Sequence, residues 1–318
     1  MLHYTIVHYT TLQVTVGTTA AESMNASANI FLGQSEAPLM IQPYLAAMTK
    51  SELHAVMTGG FATIAGSVLA AYISFGISAS HLLSASVMSA PAALAFSKLF
   101  YPETKVSRTT ADNLPPRVSA DANLLDAAAT GAAQAVYLVG NIAGSLIAFL
   151  AFVAFANGVL SWLGGLVGAP FLTLEWLLGW LFYPLAFIMG VPCGVATEPA
   201  QVSGCAALGL DGQECDEGRL VATLIGLKTI VNEFAAYDRL RSYGAALGPR
   251  SKAIVTFALC GFSNPASVGV QIAALSYMAP SRRAAISEVA LRAFIAGSAA
   301  CFLTACIAGA LITGTQLE

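Results

Sequence analysis

Charged side chains are scarce in this sequence. Of 318 residues, 14 are Lys or Arg and 17 are Asp or Glu, so charged groups make up 10% of the chain. A soluble domain carries roughly 25%, because its surface must be solvated. The shortage is local as well as global. No Asp, Glu, Lys or Arg occurs from Leu53 to Ser97, from Ala253 to Ser281 or from Ala293 to Leu317, and Glu175 stands alone between Ala127 and Pro192. Each run exceeds the roughly 20 apolar residues that cross a bilayer. With 57% hydrophobic residues and a mean hydropathy of +0.72, the chain reads as an all-α polytopic membrane protein whose partner is the lipid bilayer.

Other absences exclude other classes. The net charge is −3 and the pI about 5.8, and no basic face accumulates, which excludes nucleic acid as a partner. The four histidines, His3, His8, His54 and His81, have no metal-ligand spacing. There is no Gly-rich phosphate loop, GxSxG or HExxH, so we assign no catalytic residue and do not read the chain as an enzyme. The first residues lack the basic n-region of a signal peptide. Cys260, Cys301 and Cys306 lie in apolar runs as packing residues. Cys193, Cys205 and Cys215 share a polar loop in which one disulfide is open.

What is present is a repeated pattern. Apolar spans are expected at about 55–78, 81–97, 136–168, 253–279 and 289–312, with a weaker stretch at 171–192 that contains Pro184 and lies partly along the interface. Residues 17–47 and 219–247 are apolar, yet polar at their centres: Asn25, Asn29, Gln34, Ser35 and Glu36 in the first, Lys228, Asn232 and Glu233 in the second. A Gly/Ser/Thr/Asn-rich span follows each. GFATIAGSV (60–68) and GFSNPASV (261–268) share GF, Ala and SV across a one-residue gap. A polar hairpin followed by a broken helix, twice, is what inverted repeats produce, and breaks at membrane depth persist only where they line protein or a cavity. Thr63–Gly66 and Ser263–Ser267 are therefore expected breaks. The fold class is accordingly inverted repeats with two re-entrant helical hairpins and discontinuous transmembrane helices.

A carboxylate in the bilayer core costs at least about 2.5–3.5 kcal/mol, so Glu36 and Glu233 need a partner or a use. Lys228, five residues before Glu233, is placed to pair with it structurally. Gln34, Asn232 and Asn264 carry donor–acceptor amides suited to a base edge or sugar hydroxyls, or to interhelical bonds. Phe262 offers a ring for stacking or packing. Asn29 and Thr63 offer neutral oxygens beside freed carbonyls, the way transporters hold sodium.

Long ordered strings then carry a likeness: ESMNASANIFLGQSEAPLMIQPYL (22–45), MTKSELHAVMTGGFATIAGSVLAAYISFG (48–76), SASVMSAPAALAFSKLFYPET (84–104), GLKTIVNEFAAY (226–237), ALCGFSNPASVG (258–269) and IAGSAACFLTACIAG (295–309). They resemble the concentrative, sodium-coupled nucleoside transporters, from about Gln13 to Ile312. The resemblance implies symport of nucleosides such as uridine and adenosine by a homotrimer in the plasma membrane. It implies that Gln34, Ser35 and Glu36 face the nucleobase beside Val68, that Phe262 packs on the nucleoside, and that Glu233, Asn264 and Ser267 hold the ribose. It implies a sodium (Na+) site from the side chains of Asn29 and Thr63 and the carbonyls of Leu32 and Ile64. Gly33 and the Ser67–Val68 pair resemble members that accept both purine and pyrimidine nucleosides.

Against the family pattern, Gln42 replaces a common arginine, Pro265 is unusual, and loop 193–218 is long. The expected organisation is a remnant of a preceding scaffold segment (1–16) and a nucleoside transporter C-terminal domain (17–318). Within that domain lie repeat one (17–100), connecting helices (101–192), the loop (193–218), repeat two (219–280) and a last helix (281–318). Because family members carry further helices before residue 17, a non-transporting truncated or pseudo-subunit that binds nucleoside or partner subunits is the alternative.

Overall fold

The computed structural model describes residues 16–109, 123–169, 172–194, 199–210 and 215–312, and the described residues are helix and connector with no strand. Residues 1–15 of the expected leading segment lie outside them. The chain divides into two units, Leu114–Leu174 and the remainder. Within the smaller unit, α7 (Leu124–Leu166) begins at Asn123, whose side chain accepts from the Asp126 amide. Its 43 residues begin well before the expected span at 136–168.

The larger unit opens with a broken hairpin: α1 (Ala20–Ala28), a turn, then α2 (Ala37–Met40) and α3 (Gln42–Leu45). The first broken helix follows as α4 (Lys50–Ala62) and α5 (Gly66–Ser74), and α6 (Ala79–Phe100) closes the repeat. The starts of α1 and α4 use the same local chemistry. Glu22 accepts from the Thr19 amide at 2.9 Å, and Glu52 from the Thr49 amide at 2.7 Å. Each is the Thr-x-x-Glu spacing that ties up orphan donors at a helix N-terminus. Pro184 sits in the first turn of the short α9 (Tyr183–Ile188), which follows α8 (Leu174–Leu181). The loop 193–218 contains α10 (Pro199–Ala207), a helix not anticipated in a stretch read as a polar connector, and its one disulfide joins Cys205 to Cys215, leaving Cys193 free.

The second hairpin is α11 (Glu217–Ile230) and α12 (Glu233–Tyr243). The second broken helix is α13 (Pro249–Leu259) and α14 (Pro265–Met278), so the apolar run 253–279 is two helices, as the break expected at Ser263–Ser267 requires, with the interruption itself at 260–264. A 3-10 turn at Pro280–Arg282 leads into α15 (Arg283–Leu311).

The core explains why α15 is central. Leu53, Val56, Met57 and Phe61 form one stripe of α4; Ile286, Val289, Ala290 and Ala293 form the facing stripe of α15. Both stripes have helical period. Gly297 lets the helices approach, because a Cβ there would lie 2.5 Å from Phe61 Cβ. The opposite flank of α15 exposes Leu291, Ile295, Leu303, Ile307 and Leu311. Multiples of four residues apart, they make an apolar outer strip that only lipid or another apolar surface satisfies. Lys50–Ser74, Ala79–Phe100 and Pro280–Leu311 are each long and apolar enough to cross a membrane.

Candidate functional site

Two helices break partway along apolar runs, and each break is built from a few residues. At the first, Thr63 (φ −124°, ψ 164°) and Ala65 (φ −73°, ψ 138°) are extended. At the second, Cys260 leaves the helix and Asn264 (φ −145°, ψ 163°) restarts it. Asn264 Oδ1 accepts the Ser267 amide at 2.9 Å, and Pro265 occupies the first turn behind this cap. That is a favourable place for proline, since its missing N–H would have no helical partner there. The unusual Pro265 thus starts α14.

The two breaks are joined. The Phe262 amide donates to Thr63 O at 3.3 Å. Gly261 makes room for the crossing: a Cβ on it would lie 2.6 Å from both Phe61 O and Cys301 Sγ. Each hairpin tip docks on its own break. The Gly66 amide donates to Phe31 O at 2.9 Å, tying the first tip to the start of α5. Asn264 Nδ2 donates to Glu233 Oε2 at 2.9 Å, tying the second tip to the start of α14. Asn264 therefore uses one amide atom as a helix cap and the other to hold a buried carboxylate.

The remaining expected residues fall around this frame. Gln34 packs against Gly60, and its Oε1 is buried without a protein partner. Glu36 is half-buried, accepts from Ser35 Oγ at 3.5 Å, and lies over Gly33. No hydrogen bond joins Ser35 or Glu36 to Glu233 or Asn264 among the described residues. Val68 lies in the first turn of α5 and Phe262 in the second break, both half-buried; Ser267 is buried. Asn232 does not present its oxygen to the site, because Oδ1 accepts the Ala235 amide at 2.8 Å and caps α12. Lys228, the alternative structural partner for Glu233, makes its hydrogen bond elsewhere. Lys228 is fully buried, donates to Ala258 O at 3.0 Å and stands over the Phe302 ring. Its hydrogen bond is spent on a carbonyl freed by the end of α13.

A small-cation cradle is legible on the first break. Asn29 is fully buried, and neither its Oδ1 nor its Nδ2 has a protein partner. Its amide abuts Gly59, where an added Cβ would lie 2.8 Å from Nδ2. The Gly59 carbonyl receives the Thr63 hydroxyl at 2.9 Å, leaving the hydroxyl lone pairs free. Leu32 lies in the turn after α1 and Ile64 in the extended break, both outside the helical ladder. A buried amide costs a few kcal/mol when left unbonded, so these neutral oxygens fit a desolvated monovalent cation.

Three residues escaped the sequence reading. Gln271, on the same face of α14 as Asn264 and Ser267, is fully buried; its Nε2 donates to Met57 O at 3.2 Å and its Oε1 is unpartnered. Gly60 lies between it and Gln34. The seven-residue spacing 264–271 was the available signal. Tyr72 on α5 and Tyr237 on α12 pack with ring centroids 4.3 Å apart, joining the first broken helix to the second hairpin.

Comparison with known proteins places this arrangement. Residues 81–309 match the family model described as Na+ dependent nucleoside transporter C-terminus, and residues 11–79 match a nucleoside recognition (Gate) model. The chain belongs to the Na+-dependent nucleoside transporter family. It is 49% identical over 316 residues to Solute carrier family 28 member 3 of Eptatretus stoutii, covering 94% of this chain and 43% of that protein. To Sodium/nucleoside cotransporter 1 of Rattus norvegicus it is 45% identical over 323 residues, covering 96% of this chain and 46% of that one. The chain thus spans under half the length of these curated relatives. Among solved structures, CNTnw in an inward-facing substrate-bound state superposes with a TM-score of 0.83 at 40% identity, covering 100% of this chain and 70% of that chain. A CNTnw variant in an outward-facing state also scores 0.83, covering 97% and 69%.

Proposed function

We propose that this chain carries the ion and substrate sites of a sodium-coupled nucleoside symporter that works by alternating access, as a homotrimer in the plasma membrane. The observation that carries the reading is the hydrogen bond from the Phe262 amide to Thr63 O. Sodium held by Asn29, Thr63 and the carbonyls of Leu32 and Ile64 fixes the first break. The fixed break positions Phe262, and with it the cap Asn264 and its partner Glu233. Ion and nucleoside then favour one another's binding, a coupling of about 1–3 kcal/mol in typical allosteric systems. The ion gradient drives uptake through that term.

In this arrangement Glu233, aligned by Asn264, accepts from the ribose hydroxyls, and Ser267 adds a polar contact. Gln34, Ser35 and Glu36 meet the base, with Val68 and Phe262 as its apolar walls. Small residues at Gly33 and Ser67 leave room for purine and pyrimidine bases, so uridine and adenosine are both substrates. No covalent step is involved.

The test is uptake of labelled uridine and adenosine by cells expressing the chain, with sodium or choline outside, alongside equilibrium binding of uridine to the purified chain. Sodium-dependent uptake that Glu233→Gln abolishes supports the proposal. Sodium-independent binding overturns the coupling. Sodium-dependent binding without uptake supports the binding-subunit alternative.

A further inference from the structure

At the ends of α4 and α14 away from the breaks, a half-open pocket of about 340 Å³ is lined by Lys50, Lys105, Arg108 and Arg282 around the turn Ala46–Thr49. Among the described residues the lining holds four cations and no carboxylate, and one of the four, Lys50, is paired with Glu288. Two nearby acids are already engaged. Glu288 pairs with Lys50 at 2.6 Å, and Glu103 accepts from the Thr49 hydroxyl and from the amides of Thr104 and Lys105. Arg282 donates through Nη2 to Met48 O at 2.6 Å, while its Nε is buried without a protein partner. A buried guanidinium N–H left unbonded is costly and calls for an acceptor. The volume lies at the lower end of the range for small-ligand pockets.

We infer that this cavity is a phosphate-binding site that takes the headgroup of an anionic phospholipid. Its level in the fold supports a lipid source. Lys50 begins the first broken helix, Phe100 ends α6, and Arg282 precedes α15, so the cavity lies where three membrane-crossing segments meet the interface. The opposite end carries the disulfide. Gly309, near the end of α15, accepts from Arg250, and Gly204 beside Cys205 abuts the Ala245–Ala246 backbone just before α13. The 29 residues of α15 separate the two ends by about 43 Å. Disulfides persist in oxidising compartments, so the cavity end faces the cytosol, whose leaflet carries the anionic lipids. An arginine fork and lysines suit phosphate oxygens. Occupancy bridges three segments: the turn between the first hairpin and α4, the strand of chain after α6, and the start of α15.

The experiment is thermophoretic titration of the purified full chain with dioctanoyl phosphatidylserine, with dioctanoyl phosphatidylcholine and inorganic phosphate as comparison arms. Lys105→Gln/Arg108→Gln removes two exposed cations and leaves the core untouched; Arg282→Gln removes the guanidinium whose Nε is buried, and is expected to weaken phosphatidylserine binding as well. Phosphatidylserine is expected to bind, phosphatidylcholine not, and the double variant to weaken binding by roughly 25-fold, at about fivefold per cation. Weakening of phosphatidylserine binding by added salt is expected too. Inorganic phosphate that binds as tightly as phosphatidylserine keeps the phosphate site but overturns the lipid source. Equal binding of both lipids, or a double variant that binds as the parent does, overturns the site.

Discussion

Asn264 performs two tasks that a charge exchange separates. Its Oδ1 caps α14 and its Nδ2 holds Glu233, each at 2.9 Å. A cap contributes about 1 kcal/mol, and a hydrogen bond to a charged group about 1.5–3 kcal/mol. Asn264→Ala therefore costs about 2.5–4 kcal/mol. Asn264→Asp keeps the cap acceptor but turns the donor into a second carboxylate facing Glu233. Two like charges 4 Å apart at an effective dielectric near 20 repel by about 4 kcal/mol, so this single change is expected to cost as much as the alanine or more. Combining it with Glu233→Gln reverses the hydrogen bond: the new glutamine amide donates to the new carboxylate, and one negative charge remains. Thermal unfolding of the purified chain in detergent, followed by circular dichroism, reads the outcome. At roughly 2–4 °C per kcal/mol, Asn264→Asp is expected to lower the midpoint by about 8 °C or more, and the double variant to regain at least half of that. A double variant whose loss equals the sum of the single losses, within about 0.5 kcal/mol, would show that the two side chains do not interact and would refute the reasoning.

The crossing of the breaks makes Gly261→Ala a sharp test, since its Cβ would lie 2.6 Å from Phe61 O and Cys301 Sγ. A loss of about 1–3 kcal/mol in stability is expected from such overpacking, with weakened sodium dependence of uridine binding; a variant that melts and binds as the parent does would count against the crossing. Thr63→Val keeps the shape of the break and removes its hydroxyl. It is expected to lower sodium affinity about tenfold or more, read as the sodium concentration giving half-maximal uridine binding, while binding at saturating sodium persists. Cys205→Ser opens a link between residues ten apart, for which loop-closure entropy predicts roughly 2–3 kcal/mol. In a Cys193→Ser background, which removes the free exposed thiol of the same loop, maleimide labelling of the freed Cys215 from outside intact cells checks both the pairing and the side of the membrane, and labelling only after permeabilisation would reverse the orientation.

Much of the architecture is written in local signals. The charge-free runs identify membrane segments because an unpaired charge there is expensive, and the polar centres of 17–47 and 219–247 mark the hairpins for the same reason. Thr-x-x-Glu at 19–22 and 49–52, and Asn-Pro at 264–265, declare helix starts through chemistry confined to one turn. Hydropathy alone reads 253–279 as one apolar run, because none of the residues from Cys260 to Asn264 is charged; the break was legible instead in the Ser, Asn and Pro at 263–267, and the structure begins it three residues earlier, after Leu259. The helix in loop 193–218 was hidden differently: its uncharged segment Pro199–Ala207 sits between acidic flanks at Glu198 and Asp211–Glu217, which make the stretch as a whole read as connector.

What the sequence by itself determined is the membrane class, the paired hairpin-and-break pattern, and which polar residues lie at depth, since each follows from the cost of placing a group in lipid. Tertiary structure alone decided partners. Lys228 and Glu233 stand five residues apart, yet the lysine bonds to Ala258 O and the glutamate to Asn264. Thr63 meets Phe262 across almost two hundred residues of chain, and Lys50 shares a cavity with Arg282. Hydrogen bonds and charge pairs reach only a few ångströms, so their partners are set by how the helices pack, and spacing along the chain does not encode that distance.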